Sequence, residues 1–77
     1  MTYNAKVSEA HQLISSMLIL DSREVLETPH GMVARWVVQE TLFYLEAMLN
    51  YGSWQNAGFN EPCSEVKTFA RRYGVVL

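Results

Sequence analysis

The sequence predicts an all-α fold: a long antiparallel helix pair with a short C-terminal helix packed across it. Three observations predict it. Apolar residues recur every three or four positions along most of the chain. No segment keeps the strict alternation of a strand. Capping residues, prolines and glycines fall where helices of that pattern begin and end.

The first helix, about 9–27, is expected to start after Ser8, whose hydroxyl suits an N-cap. Ala10, Leu13, Ile14, Met17, Leu18 and Val25 form its apolar stripe, and Glu9 sits where the helix dipole favours an anion. Asp21-Ser22-Arg23-Glu24 has the spacing of a capping box, which marks a break or kink. With no Gly or Pro to stop it, a continuous helix is the preferred reading.

Thr28-Pro29-His30-Gly31 then punctuates the chain. Proline suits the first helical position, so Thr28 reads as the cap of a second helix over about 29–51. Gly52 is its natural left-handed terminator. One stripe of this helix holds Val33, Trp36, Val37, Phe43 or Tyr44, Ala47, Met48 and Tyr51. A second holds Val38, Leu42, Leu45 and Leu49, leaving a narrow polar line through Arg35, Gln39, Glu46 and Asn50. A surface helix ordinarily has one apolar stripe. Two stripes place this helix at the centre of the fold or against another chain.

Residues 52–60 read as a loop with two apolar anchors, Trp54 and Phe59. Asn60 is placed to cap a third helix over about 61–73, with Val66, Phe69, Ala70 and Tyr73 on one face. Arg71 and Arg72 fall in its last turn, and Gly74 ends it, with Val75 set for the hydrophobic contact of a glycine C-cap. The β-prone tail Val75-Val76-Leu77 either tucks against the helices or is free for capture by another domain.

Size and composition bound the function. A chain of 77 residues and 8.8 kDa exposes roughly 4,800 Å² when compact against about 12,800 Å² extended, so about 60% of its surface is buried. Residues 1–77 therefore make one small domain, without room for a separate cofactor domain. Apolar residues make up 49% of the chain, but charged ones only 18%, below the usual ~25%. The apolar run Met17-Leu18-Ile19-Leu20 is far short of the ~20 residues of a membrane span. No leader pattern opens the chain, and one cysteine, Cys63, suits a reducing, cytoplasmic setting.

Chemistry-bearing patterns are sparse. His11, His30 and Cys63 have no metal-ligand spacing, and the four glycines are too scattered to cradle a phosphate. Cys63 in a helix first turn has neither a local base nor an oxyanion hole, so no cofactor, metal or catalytic residue is assigned. Glu40 continues the Val33, Val37, Tyr44 row and is expected to be a buried acid paired with Arg23. The string from Val66 to Val75 resembles the first helix and turn of a helix-turn-helix. The chain stops at Leu77, where the recognition helix of that motif should begin.

The resulting expectation is a small non-enzymatic regulator or adaptor that binds protein, acting as a homodimer or higher oligomer. Its partner interface is expected at Trp36, Val38, Leu42, Leu45, Leu49 and Trp54, because aromatics and apolar residues mark interface centres. The alternative is a dimeric nucleic-acid-associated regulator with Lys67, Arg71 and Arg72 as contacts. A third reading is a small-ligand pocket between the first two helices, near Arg35 or Glu40 and gated by Trp36.

Overall fold

A computed structural model describes residues 3–77. Three helices are present: α1 (Tyr3–Leu20), α2 (Arg35–Tyr51) and α3 (Ser64–Arg72). A two-stranded antiparallel hairpin, β1 (Val25–Thr28) and β2 (Gly31–Ala34), joins the first two. The fold is therefore mixed α/β, which overturns the all-α expectation. Its accessible surface of 4825 Å² matches that of a compact chain of this mass.

Corrections lie in residues 3–8, where α1 is already helical and Ser8 is interior rather than an N-cap, and in residues 21–34, expected to complete the first helix and begin the second. Helix α1 stops at Leu20 without Gly or Pro, at the capping-box break. Asp21 ends it by local hydrogen bonding: its carboxylate accepts from the backbone N–H of Arg23 at 3.0 Å and pairs with the Arg23 guanidinium at 2.7 Å. Pro29 occupies a two-residue turn with His30 rather than the start of a helix. Thr28 Oγ1 accepts from the His30 N–H at 3.0 Å and donates to the Gly31 carbonyl at 2.8 Å. Gly31 takes φ +101°, a conformation L side chains rarely adopt, which seats the turn. Strand β1 does alternate, with Leu26 and Thr28 buried and Val25 and Glu27 exposed, whereas β2 has Gly31 and Met32 exposed and Val33 and Ala34 half-buried. Four residues per strand are too few for that pattern to stand out against helical spacing.

Arg35 locks this connection. Its guanidinium donates to the carbonyls of Leu18 at 3.0 Å, Arg23 at 3.0 Å and Asp21. Carbonyls at a helix C-terminus lack intrahelical partners and carry partial negative charge, so a guanidinium both pairs and neutralises them.

Helices α1 and α2 pack antiparallel, as expected: Leu18 lies beside Leu42, and His11 Nε2 is 3.3 Å from Glu46 Oε1. Gly52 closes α2 at φ +84° with its N–H on the Met48 carbonyl. Helix α3 starts three residues later than expected, after Cys63. Asn60 does not cap it; its carbonyl instead accepts from the Tyr44 hydroxyl at 2.6 Å. Gly74 ends the helical run, Val75 donates to the Ala70 carbonyl, and the Val75 side chain is fully buried in the core. The core joins Val7, Ala10 and Ile14 of α1, Leu26 of β1, Val38, Leu45 and Met48 of α2, and Val66 and Phe69 of α3.

Candidate interaction surface

Two depressions border α2. The larger is an open groove of about 500 Å³ between β2 and α3. Val33, Val37 and Phe69 form its apolar floor. Met32 and Trp36 rise on one wall, both at least half exposed. Ser64, Glu65, Thr68 and Arg72 line the other wall, and His30 closes one end. The His30 ring stands edge-on to Tyr73, centroids 5.1 Å apart, which puts the start of β2 beside the C-terminal end of α3. At the other end, Asn60 and Cys63 lie beside Tyr44 of α2, so α3 runs back against the β2–α2 course from Tyr44 to His30. One end carries Arg72 and His30, the other Glu65.

The backbone of β2 adds to this. Each strand of a two-stranded sheet has one unpaired edge. Residues opposite each other alternate between bonded and unbonded pairs in an antiparallel ladder. The Arg35 N–H donates to the Glu24 carbonyl at 2.7 Å, and the register pairs Leu26 with Val33 and Glu27 with Met32. Glu24–Arg35, Leu26–Val33 and Thr28–Gly31 are thus the bonded pairs. The Met32 N–H and C=O and the Ala34 N–H point outward from β2. No β1 residue lines the groove, whereas Met32, Val33 and Ala34 do, so the open edge of β2 is the one that faces it.

The second depression, about 320 Å³, lies between α1 and α2 and is lined by Leu18, Gln39, Leu42, Phe43 and Glu46. Beside it Ile19 and Leu20 end α1 at 80% and 86% exposure, and Phe43 is 59% exposed. Neither depression is the closed cavity expected near Glu40 between the first two helices. Trp36 stands on the rim of the larger groove, on its β2 side.

The residues expected at an interface are divided. Val38 and Leu45 are wholly enclosed in the protomer's own core and are not available to a partner. Leu42 is half-buried in the second depression, and Leu49 is partly exposed. Trp54 is half-buried, edge-on to Tyr44 with centroids 6.3 Å apart, and Phe59 stands edge-on to the same ring at 5.2 Å. Both loop anchors pack against Tyr44, although Phe59 stays 37% exposed. Burial raises the Tyr44 phenol above its ordinary value, and the nearby Glu40 charge adds to that.

The buried Glu40–Arg23 pair does not form. Glu40 is exposed, and Arg23 pairs with Asp21 instead. The physical reason is the hairpin: Arg23 sits in the link before β1 rather than on a helix facing α2. Among the candidate cations, Lys67 reaches Glu61 at 3.6 Å, and Arg71 and Arg72 are exposed. Arg72 lines the groove with Glu65 and, on its other side, a depression with Lys6 and Glu9. Among the described residues no three His, Cys, Asp or Glu side chains converge as a metal site would need. Nor is any helix among them long and apolar enough to cross a membrane.

Met32, Phe43, Ile19, Leu20 and Glu65 were not among the residues expected at an interface. The Trp36–Phe43 spacing of seven was available as a signal, since it puts both rings on one side of a helix. Met32 and the β2 edge required the hairpin. No family model, curated protein or solved structure matches this chain.

Proposed function

We propose that this chain is a small, non-enzymatic protein of the cytoplasm that works by binding protein, and that it self-associates through the α1–α2 flank. The observation that supports this is a set of exposed apolar side chains on the α1–α2 flank outside a core that is already closed. Ile19, Leu20 and Phe43 stand out beside Leu18 and Leu42, while no buried side-chain polar atom among the described residues lacks a partner. Isolated exposed apolar residues are ordinary; adjoining ones lining a depression mark an interaction surface. A free, exposed Cys63 suits a reducing compartment.

Sedimentation across a concentration series tests the self-association. The wild-type chain should exceed 8.8 kDa as concentration rises, and Phe43→Glu or Ile19→Glu should hold it at the monomer mass. Both positions are exposed, so each change should cost the fold less than about 0.5 kcal/mol. Leu45→Glu serves as the contrast: buried in the core, it should unfold the protomer instead. A wild-type chain that stays at the monomer mass at every concentration sinks the oligomer.

A further inference from the structure

We infer that the groove between β2 and α3 takes an extended peptide, which adds to the sheet as a third, antiparallel strand with its C-terminal carboxylate at Arg72. This rests on reading the chain as a protein-binding module and names the chemistry of the partner. The edge of β2 supplies outward-facing backbone groups at Met32 and Ala34, with no partner from turn, loop or side chain. Strand addition is the recognition mode that uses such groups: main-chain bonds hold the peptide and pockets read alternate side chains. The floor of Val33, Val37 and Phe69, with Trp36 and Met32 above it, suits apolar side chains at every second peptide position.

Charge sets the direction. Glu65 and Arg72 are seven residues apart on α3, a rise of about 10.5 Å. The four residues of β2 span about 13 Å, so both charges stand within one strand's length of the groove. A strand antiparallel to β2 starts at the Ala34 end, beside Glu65, and finishes at the Gly31 end, beside Arg72 and His30. Its leading amino or lysine group then meets the acid, and its terminal carboxylate meets the guanidinium. A parallel strand would place like charges together at both ends. The fit is therefore to a C-terminal peptide of alternating apolar and small polar residues with a basic group upstream.

The probe is a pooled library of hexapeptides with free C-termini, lysine first, then Val, Ile or Phe alternating with Thr or Ser. The readout is amide exchange and chemical shift on the whole chain. The peptides should slow exchange at the Met32 and Ala34 amides and shift the Trp36 indole. Amidating their C-termini should weaken binding by up to about fivefold, the upper range for one ion pair at a surface, and Arg72→Glu, which reverses the charge, by at least as much. Met32→Pro should abolish binding, since it removes an outward N–H from an edge strand without touching the hairpin's own ladder. Helical circular dichroism checks that this variant folds, and Arg72→Glu carries the test if it does not.

Failure to bind the pool at millimolar concentration overturns the inference, as does binding that leaves the Met32 and Ala34 amides unprotected. If those amides slow with protein concentration alone, the occupant is a second copy paired edge to edge, and the peptide reading falls. A Phe43→Glu monomer that still takes peptide would keep the groove and remove the oligomer. An oligomer blind to peptide would do the reverse.

Discussion

The two connections of this chain reach the rest of the fold with different balances of polar and aromatic contact. Residues 21–34 join α1 to α2, and residues 52–63 join α2 to α3. The first is held by directional polar bonds: the hairpin ladder, the Asp21–Arg23 pair and the Arg35 guanidinium on three carbonyls. The second has its own turn bonds, with Asn56 bonded to Ser53 Oγ and to the Tyr51 carbonyl, but its aromatic contacts set it on the fold: Trp54 and Phe59 stand edge-on to Tyr44, whose hydroxyl donates to the Asn60 carbonyl. Aromatic contacts tolerate small changes in angle, whereas the Arg35 bonds require their carbonyls in place. The first connection should therefore depend on a few bonds, and the second on buried area.

The largest effect should come from the apolar connection. Tyr44→Ala removes the ring that both anchors rest on and should cost about 3–5 kcal/mol, the usual range for a buried aromatic. Tyr44→Phe keeps the ring and loses only the bond to Asn60, for about 1 kcal/mol. Urea melts give both values, and near-ultraviolet circular dichroism should show the Trp54 signal lost in the first variant and kept in the second. Equal losses in the two variants would mean that the hydrogen bond, not the ring, holds the loop.

Arg35→Ala comes next, at about 2–3 kcal/mol for charge-assisted bonds on a partly exposed side chain. Arg35→Lys should recover less than half of that, because an ammonium lacks the planar fork that reaches several carbonyls at once. Amide exchange should then quicken in β1 and β2 while α3 is unchanged. Uniform quickening would show that the hairpin has no separate stability.

The smallest effect is at Asp21. The Arg23 guanidinium, and then the Arg23 backbone N–H, hold the Asp21 carboxyl at about 2, against an unfolded value of about 3.9. A folded value below the unfolded one means that the stabilisation is fully present above about pH 4 and is lost as pH falls through about 2. The pair is at the surface, so its contribution is small. The stability difference between wild type and Asp21→Asn should shrink over that window, measured by urea melts at successive pH values. A difference independent of pH would assign the role of Asp21 to the turn alone.

This contrast also explains which parts of the molecule were legible beforehand. Trp54 and Phe59 were readable as anchors because large apolar rings in a polar loop seek apolar contact, and both find it on Tyr44. Gly52, Gly74 and Val75 were readable because helix endings depend on local backbone geometry. The hairpin was not, because its strands are four residues long and Val25 and Val33 fit a helical period as well as an extended one. The Glu40–Arg23 pairing failed with it, since moving Arg23 out of a helix moved its charge. The apolar surplus on α2 was visible, but Val38 and Leu45 turned out to be the protomer's core, and the exposed share passed to Trp36 and Phe43.

The sequence by itself determined one small domain, three helical segments, their antiparallel core pairing and the endings of α2 and α3. These follow from periodicity and local backbone preference, which act within a few residues. Only the tertiary structure decided where α1 stops, that a hairpin intervenes, and which apolar faces stay uncovered. Those outcomes depend on Arg35 reaching back 12 to 17 residues to carbonyls that carry no signature of their own. They depend also on which of two apolar stripes the other helices happen to cover.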